Sequence, residues 1–341
     1  MLVELVELVV LVVLVVVLAA DTSSLTAFAN GRKLNGYNVL WGGNDQYWLG
    51  TYDPAPNSTQ QKFVPSTMVQ NMDGPESSCP KGFFDASTNR YLIWFWVGAG
   101  LDGVVNKGRW DGMLSVAMVV DVDLDLLSLT LFPVEELASL RTPIAIPNTL
   151  KLPSQGGEVP LAGVASRQLD LVITFSWDLP AVPQCCPGVL PCPAAACAAA
   201  EEVGVLVGVG AAAAEQTKIG FVLTPGLQQF CNATRKQLPA VMMVLDTTKS
   251  RRGVKVKGNV AQKPVSLKPG EASLSLRVLV DNSVIQAFVQ DGRASMTRRF
   301  YPTSTASSGA ALYYKPAKPT KGGAPLPPPR VTVRAYEMAK E

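Results

Sequence analysis

The sequence contains no histidine. That removes the commonest general base, the Ser–His and Cys–His nucleophile pairs and the commonest metal ligand. Any hydrolysis must then be carried by carboxylates, which fits glycoside chemistry, where two carboxyl groups suffice. Charge is scarce as well. Asp, Glu, Lys and Arg make up 17% of the chain, below the usual quarter. The net charge of +3 is too small to imply nucleic acid, and no Lys/Arg stripe with interleaved aromatics is present. The run Lys249, Ser250, Arg251, Arg252 reads as a solvated turn. Paired C-x2-C knuckles, which a structural zinc site wants, are also missing. Four of the six cysteines, Cys185, Cys186, Cys192 and Cys197, crowd into one Pro/Ala-rich stretch. That pattern reads as a low-complexity loop, with or without a disulfide, and neither metal nor cofactor is expected.

What is present bounds the fold. The 341 residues can hold one large or two ordinary domains, and 48% apolar content supplies a core. Residues 1–24 begin as a Leu/Val repeat in which Glu4 and Glu7 stand where a secretory signal carries basic residues. The unbroken apolar stretch from Leu8 to Ala20 is shorter than the roughly 20 residues of an ordinary membrane span. An atypical signal or anchor, a buried strand or helix, and a misplaced start of the coding sequence are the three readings, the last two jointly favoured. Two sequons, Asn57-Ser58-Thr59 and Asn232-Ala233-Thr234, are compatible with secretion.

The rest reads as all-β, with short apolar runs between Gly, Pro, Asn and Asp turns. Strands are expected at Tyr47–Tyr52, at Tyr91–Val97 (aromatic, continuous, buried on both faces) and at Met113–Val122. Leu169, Leu171, Ile173, Phe175 and Trp177 alternate on one face. Further strands are expected at Ile219–Leu223, Val241–Leu245, Ser273–Val280, Val284–Val289 and Val331–Tyr336. Residues 180–215, rich in Pro, Cys, Ala, Val and Gly, read as an insertion or loop, and residues 315–330 as an exposed loop. A Pro-punctuated linker at 142–153 divides the chain. Residues 25–141 hold too few strands to close a barrel or propeller, and 154–341 suggest a β-sandwich.

Several stretches then resemble, in one order, the plant-type acid invertases of glycoside hydrolase family 32. Tyr47-Trp48-Leu49-Gly50-Thr51-Tyr52-Asp53 resembles Y-x-L-G-T-Y-D, and Phe63-Val64-Pro65 follows it. Phe83-Phe84-Asp85, Asn89-Arg90 and Trp94-Phe95-Trp96 resemble F-[FY]-D-x-x-x-[NK]-R-R-x-L-W-G-W. Lys107-Gly108-Arg109-Trp110-Asp111-Gly112 is similar to K-G-W-[SA]-G with one residue inserted, and Phe132–Leu137 with Leu140-Arg141 to the segment leaving the propeller. Leu276–Ser283 with Phe288, Gly292-Arg293 and Tyr301-Pro302 resembles L-R-x-L-[VI]-D-H-S-x-[VI]-E-x-F…G-[GR]…[YF]-P.

This resemblance implies a five-bladed β-propeller followed by a β-sandwich, retaining β-fructofuranosidase chemistry on sucrose or fructans, and a cell-wall, extracellular or vacuolar location. The three catalytic acids of the family lie on W-[ML]-N-D-P-N-G, R-D-P and E-C, and none of these motifs occurs in this sequence. No catalytic residue is assigned. The chain is expected to begin after the catalytic glutamate, to keep the last one to two blades (residues 25–141) and the sandwich, and to be inactive alone. A partner chain that completes the propeller is one way to a closed pocket. A non-catalytic sugar-binding or regulatory sandwich is the alternative. Two substrate contacts are carried over. Asp73 stands twelve residues before Asp85, where the family binds glucose, but Glu76 occupies its basic partner's place and would repel it. Trp96 stands near the sugar face, and alternation puts Trp94 on its side of the strand. Phe95 replaces a family Gly and would crowd the backbone's approach. Asn282 and Gln286 replace His and Glu, keeping hydrogen bonding while losing charge. The family's sandwich disulfide is broken, since Val244 stands near its second half and Cys231 has no partner there.

Overall fold

In the computed structural model the described residues are 33–41, 45–53, 62–74, 76–98, 111–177, 201–210, 215–223, 241–251, 260–268, 271–304, 306–317 and 327–338. The Leu/Val start, both sequons, Cys185, Cys186, Cys192, Cys197 and Cys231, and the Lys107–Trp110 motif lie outside them. The chain divides into two compact units, 1–134 and 135–341.

The first unit holds two antiparallel sheets. In one, β1 (Asn38–Trp41), β2 (Gln46–Asp53) and β3 (Lys62–Pro65) lie in that order, and the short β4 (Gln70–Asn71) pairs with β2. In the other, β5 (Ser77–Asp85), β6 (Arg90–Val97), β8 (Met118–Asp123) and β9 (Ser128–Pro133) run as a meander, with β7 (Met113–Leu114) on β6. Tyr47 joins the two sheets. Its hydroxyl donates to Gln70 Oε1 at 2.7 Å and accepts the Leu129 N–H at 2.9 Å. Met113–Val122 is not one strand, because Ser115 breaks it: the Ser115 N–H bonds the Phe95 carbonyl and its Oγ accepts the Phe95 N–H. Strand β6 is not buried on both faces. Tyr91, Ile93, Phe95 and Val97 are buried while the alternate residues look outward, as period-two geometry requires of a sheet with one covered face.

The second unit opens with a 3-10 turn at Glu135–Leu140. Its first sheet contains β10 (Arg141–Ile144), β11 (Thr149–Lys151), β13 (Gln168–Ser176), β18 (Ser273–Asp281), β19 (Val284–Val289), β20 (Ala294–Arg299) and β22 (Arg330–Met338). Its second sheet runs β12 (Gly157–Ala165), β21 (Gly309–Lys315), β14 (Glu201–Val209), β15 (Thr217–Leu223), β16 (Val241–Asp246), β17 (Val260–Pro264). Leu169, Leu171, Ile173, Phe175 and Trp177, the expected apolar stripe, all enter one core shared by both sheets. Phe175 meets Phe221 of the facing sheet edge-on at 6.0 Å. This is a β-sandwich.

The expected linker at 142–153 is instead part of that sandwich, since β10 and β11 both pair with β22. Pro143 is tolerated because β10 is the edge strand. The expected insertion at 180–215 contains β14, which is central and lies between β21 and β15. Val203 to Gly208 are buried without alternation, so the strand carried no period-two signal, and the Ala/Pro-rich residues before it obscured it. Residues 180–200 lie outside the described residues.

Candidate functional site

The two residues expected to touch sugar fall at one end of the β5–β6 hairpin. Ser78 pairs with Trp96 and Ser77 with Val97, and the Gly98 N–H bonds the Glu76 carbonyl at 2.8 Å. The register shifts between Ser78 and Lys81, where Cys79 adopts a left-handed φ of 50° and Pro80 has no N–H to give the ladder.

Trp96 is 43% exposed. Trp94 shares its face but is engaged, stacked on Phe83 at 5.7 Å and 17°. Against Trp96 lies the backbone of Gly112, whose φ is +66°. A Cβ there would stand 2.5 Å from the indole Nε1, so the glycine makes room for the ring. Phe95 does not crowd this face, because its fully buried side chain points into the sheet's covered side. Trp96 therefore presents an aromatic surface of the kind that stacks on sugar C–H groups.

Asp73 is closed in. It is 4% exposed, its N–H donates to both carboxylate oxygens of Asp45 at 2.8 and 2.9 Å, and its Oδ2 accepts the Ser77 hydroxyl at 2.6 Å. Its Oδ1 is buried with no hydrogen-bond partner among the described residues. Asp45 is the residue the sequence reading missed. It is buried in a left-handed conformation (φ 66°), which Asp tolerates better than most residues, and its own carbonyl holds the Met72 N–H at 2.7 Å. In the sequence, the Gly-Gly-Asn-Asp run that ends at Asp45 is a composition that signals a turn. Its carboxylate is committed to fixing the loop that carries Asp73. The site as built can stack a ring on Trp96 and offers one buried acceptor. Among the described residues it contains no assembled nucleophile and acid. Among the described residues no group of three or more Cys, Asp or Glu could hold a metal ion.

In the sandwich, the two departures from the invertase-like pattern keep polar roles. Asn282, with φ 49°, occupies the tight turn between β18 and β19, and the amide of Gln286, fully enclosed, donates to Thr297 Oγ1 at 3.2 Å.

Comparison with known proteins places this geometry. Acid beta-fructofuranosidase 2, vacuolar, of a Rosa hybrid cultivar is 29% identical over 286 residues, covering 79% of this chain and 42% of that protein. Fructan 6-exohydrolase of Beta vulgaris is 25% identical, covering 79% of this chain and 45% of that protein. The chain thus spans less than half the length of these relatives. Fructan 1-exohydrolase IIa from Cichorium intybus shares the fold with a TM-score of 0.66 at 24% identity, over 87% of this chain and 55% of that one. The family model described as "Glycosyl hydrolases family 32 C terminal" matches residues 136–322, over half of the chain. The chain belongs to the family 32 glycosyl hydrolases and carries their C-terminal domain.

Proposed function

We propose that this protein recognises β-fructosyl carbohydrate, sucrose or a fructan, in a β-fructofuranosidase-type assembly, and that the 341-residue chain by itself binds without cleaving. The observation that carries this reading is the likeness along 79% of the chain to a β-fructofuranosidase and a fructan exohydrolase, joined to the absence of W-[ML]-N-D-P-N-G, R-D-P and E-C from the sequence. The meander β5-β6-β8-β9 has the four-stranded size of a propeller blade, which supports reading the unit that ends at Val134 as propeller blades, with 135–341 as the sandwich. Trp96 then supplies the stacking surface, and Asp73, enclosed with Asp45 and Ser77, holds the loop before β5. Phe83 and Leu114 are exposed on one face of this sheet, a surface a neighbouring blade would cover, so a second chain bearing the catalytic acids is the partner that would complete a pocket.

The test is titration of the purified chain with sucrose and 1-kestose by calorimetry, beside an assay for released fructose. Binding without release is expected, weakened about tenfold in Trp96→Ala, the loss of one stacking contact. Release of fructose by the chain alone, or absence of binding to both sugars, would overturn the reading. The second reading, a non-catalytic sugar-binding sandwich, is supported by the self-contained core of residues 135–341.

A further inference from the structure

The outer face of the six-stranded sheet carries an aromatic ring seated on two glycines. Tyr313 of β21, Gly204 of β14 and Gly220 of β15 lie side by side across three neighbouring strands. The Tyr313 ring lies over both glycines. A Cβ on Gly220 would stand 2.5 Å from its hydroxyl, and one on Gly204 2.8 Å from its ring edge. Two glycines in the centre of a sheet weaken it unless something packs on them, and here the tyrosine does. The ring is 7% exposed, yet its hydroxyl has no hydrogen-bond partner among the described residues.

That residue lines a pocket of about 370 Å³, within the roughly 300–1,000 Å³ of small-molecule sites. A second unsatisfied group lines it too: Gln216 Oε1 is buried without a partner among the described residues. The ionic lining is balanced, with Glu158, Glu202 and Asp246 against Lys218, Lys249 and Lys315. Glu202 bridges two of the lysines, taking Lys315 Nζ at 2.6 Å on Oε1 and Lys218 Nζ on Oε2. Lys218 also stands over the Tyr313 ring, 4.7 Å from its centre. Burial, then the charges of Glu202 and Asp246, push the Tyr313 hydroxyl well above its ordinary value, so it stays protonated and able to donate.

A buried hydroxyl and a buried amide oxygen left unpaired each cost free energy, and a ligand that satisfies both removes that cost. An anion would meet three carboxylates and a cation three ammonium groups. Sugar hydroxyls donate and accept at once and bring no charge. We propose that this pocket, at Tyr313 and Gln216 on the outer face of the sandwich, is a binding site for a neutral sugar unit, separate from the Trp96 site. It rests on the sugar-binding reading of the sandwich and gives that reading a location.

The experiment titrates the full chain, wild type, Tyr313→Phe, Gln216→Ala and Trp96→Ala, with sucrose, 1-kestose and maltotriose by calorimetry. Tyr313→Phe keeps the ring on its glycines and removes only the unpaired oxygen, so its melting temperature should match or exceed that of wild type. The expected result is about tenfold weaker binding of at least one sugar in Tyr313→Phe and in Gln216→Ala, the scale of one lost hydrogen bond in an enclosed site, with that component unchanged in Trp96→Ala. Binding of maltotriose alone, lost in Tyr313→Phe, would uphold the pocket while the fructosyl reading fails. Fructan binding that is lost only in Trp96→Ala would overturn the pocket and leave the fructosyl reading standing. No binding of any of the three sugars would overturn both.

Discussion

Arg277 and Asp170 form a bidentate pair on adjacent strands of the seven-stranded sheet, Nε to Oδ1 at 3.1 Å and Nη2 to Oδ2 at 2.8 Å. The carboxylate has no solvent exposure. Arg141 adds two contacts to Oδ2, at 2.8 Å from Nε and 2.7 Å from Nη2, and lies over the Tyr336 ring at 4.5 Å. One aspartate thus holds side chains from β10 and β18 while its own strand β13 is flanked by β18 and β22. Removing one member of a buried pair leaves the other's charge desolvated and unpaired, which costs about 3–5 kcal/mol. Asp170→Ala should lose that much in urea unfolding, and Arg141→Met, at the exposed side of the cluster, clearly less. Replacing Asp170 and Arg277 together by Leu and Met should recover most of the loss. A loss under about 1 kcal/mol in Asp170→Ala, the scale of a surface ion pair, would refute the assignment.

This pair also shows what the sequence could and could not reveal. Arg277 stood out within Leu276–Ser283, and the strands around it were legible because Leu169 to Trp177 and Ser273 to Val280 carry clear period-two or apolar patterns. Its partner was not legible. Asp170 lies 107 positions away, and only the β13–β18 register brings the two together. The same limit applies in the first unit. Trp96 could be put on the outer face by alternation alone, whereas the capture of the Asp73 loop by Asp45 spans 28 positions and has no local period. Strand β14 failed for the opposite reason, since burial on both faces erases the pattern that would announce it.

The glycine pair under Tyr313 leads to a prediction about packing. A Cβ on Gly220 would also lie 2.2 Å from the Val203 carbonyl oxygen and 2.6 Å from Gly204 Cα. These are backbone atoms of a central strand, so relief requires β14 and β15 to separate. Gly220→Ala should therefore destabilise by about 1–3 kcal/mol, the range for overpacking, although alanine is otherwise no worse than glycine in a strand. Thermal unfolding measures it, and a melting temperature equal to wild type would mean that the two strands are not this close.

Asn282 leads to a conformational prediction. Its φ of 49° sits in the left-handed region, which costs most residues roughly 1–2 kcal/mol and asparagine less. Its Nδ2 donates to Asp281 Oδ1 at 2.9 Å, and its N–H to the Arg167 carbonyl at 2.9 Å. Histidine, the residue of the invertase-like pattern, is also enriched in this region, so the exchange preserves the turn. Asn282→Ala should cost about 1 kcal/mol and Asn282→Gly much less. Equal losses in the two variants would show that the side-chain contact, rather than the backbone, sets the cost.

Asp85 closes the β5–β6 hairpin and should titrate far from an ordinary aspartate. Its Oδ1 accepts the Ser87 hydroxyl at 2.6 Å and the Ser87 N–H at 3.0 Å, and its Oδ2 accepts the Thr88 hydroxyl. The Ser87 side chain, then that of Thr88, favours the ionised form and lowers the pKa from 3.8 to about 2. The folded value is depressed, so the turn's contribution to stability is complete above the unfolded value near 3.8 and is lost as pH falls through about 2. Carboxyl NMR should place the Asp85 midpoint near 2, and Ser87→Ala should move it back toward 3.8. A wild-type midpoint already near 3.8 would mean that the hydroxyls do not hold the carboxylate in solution.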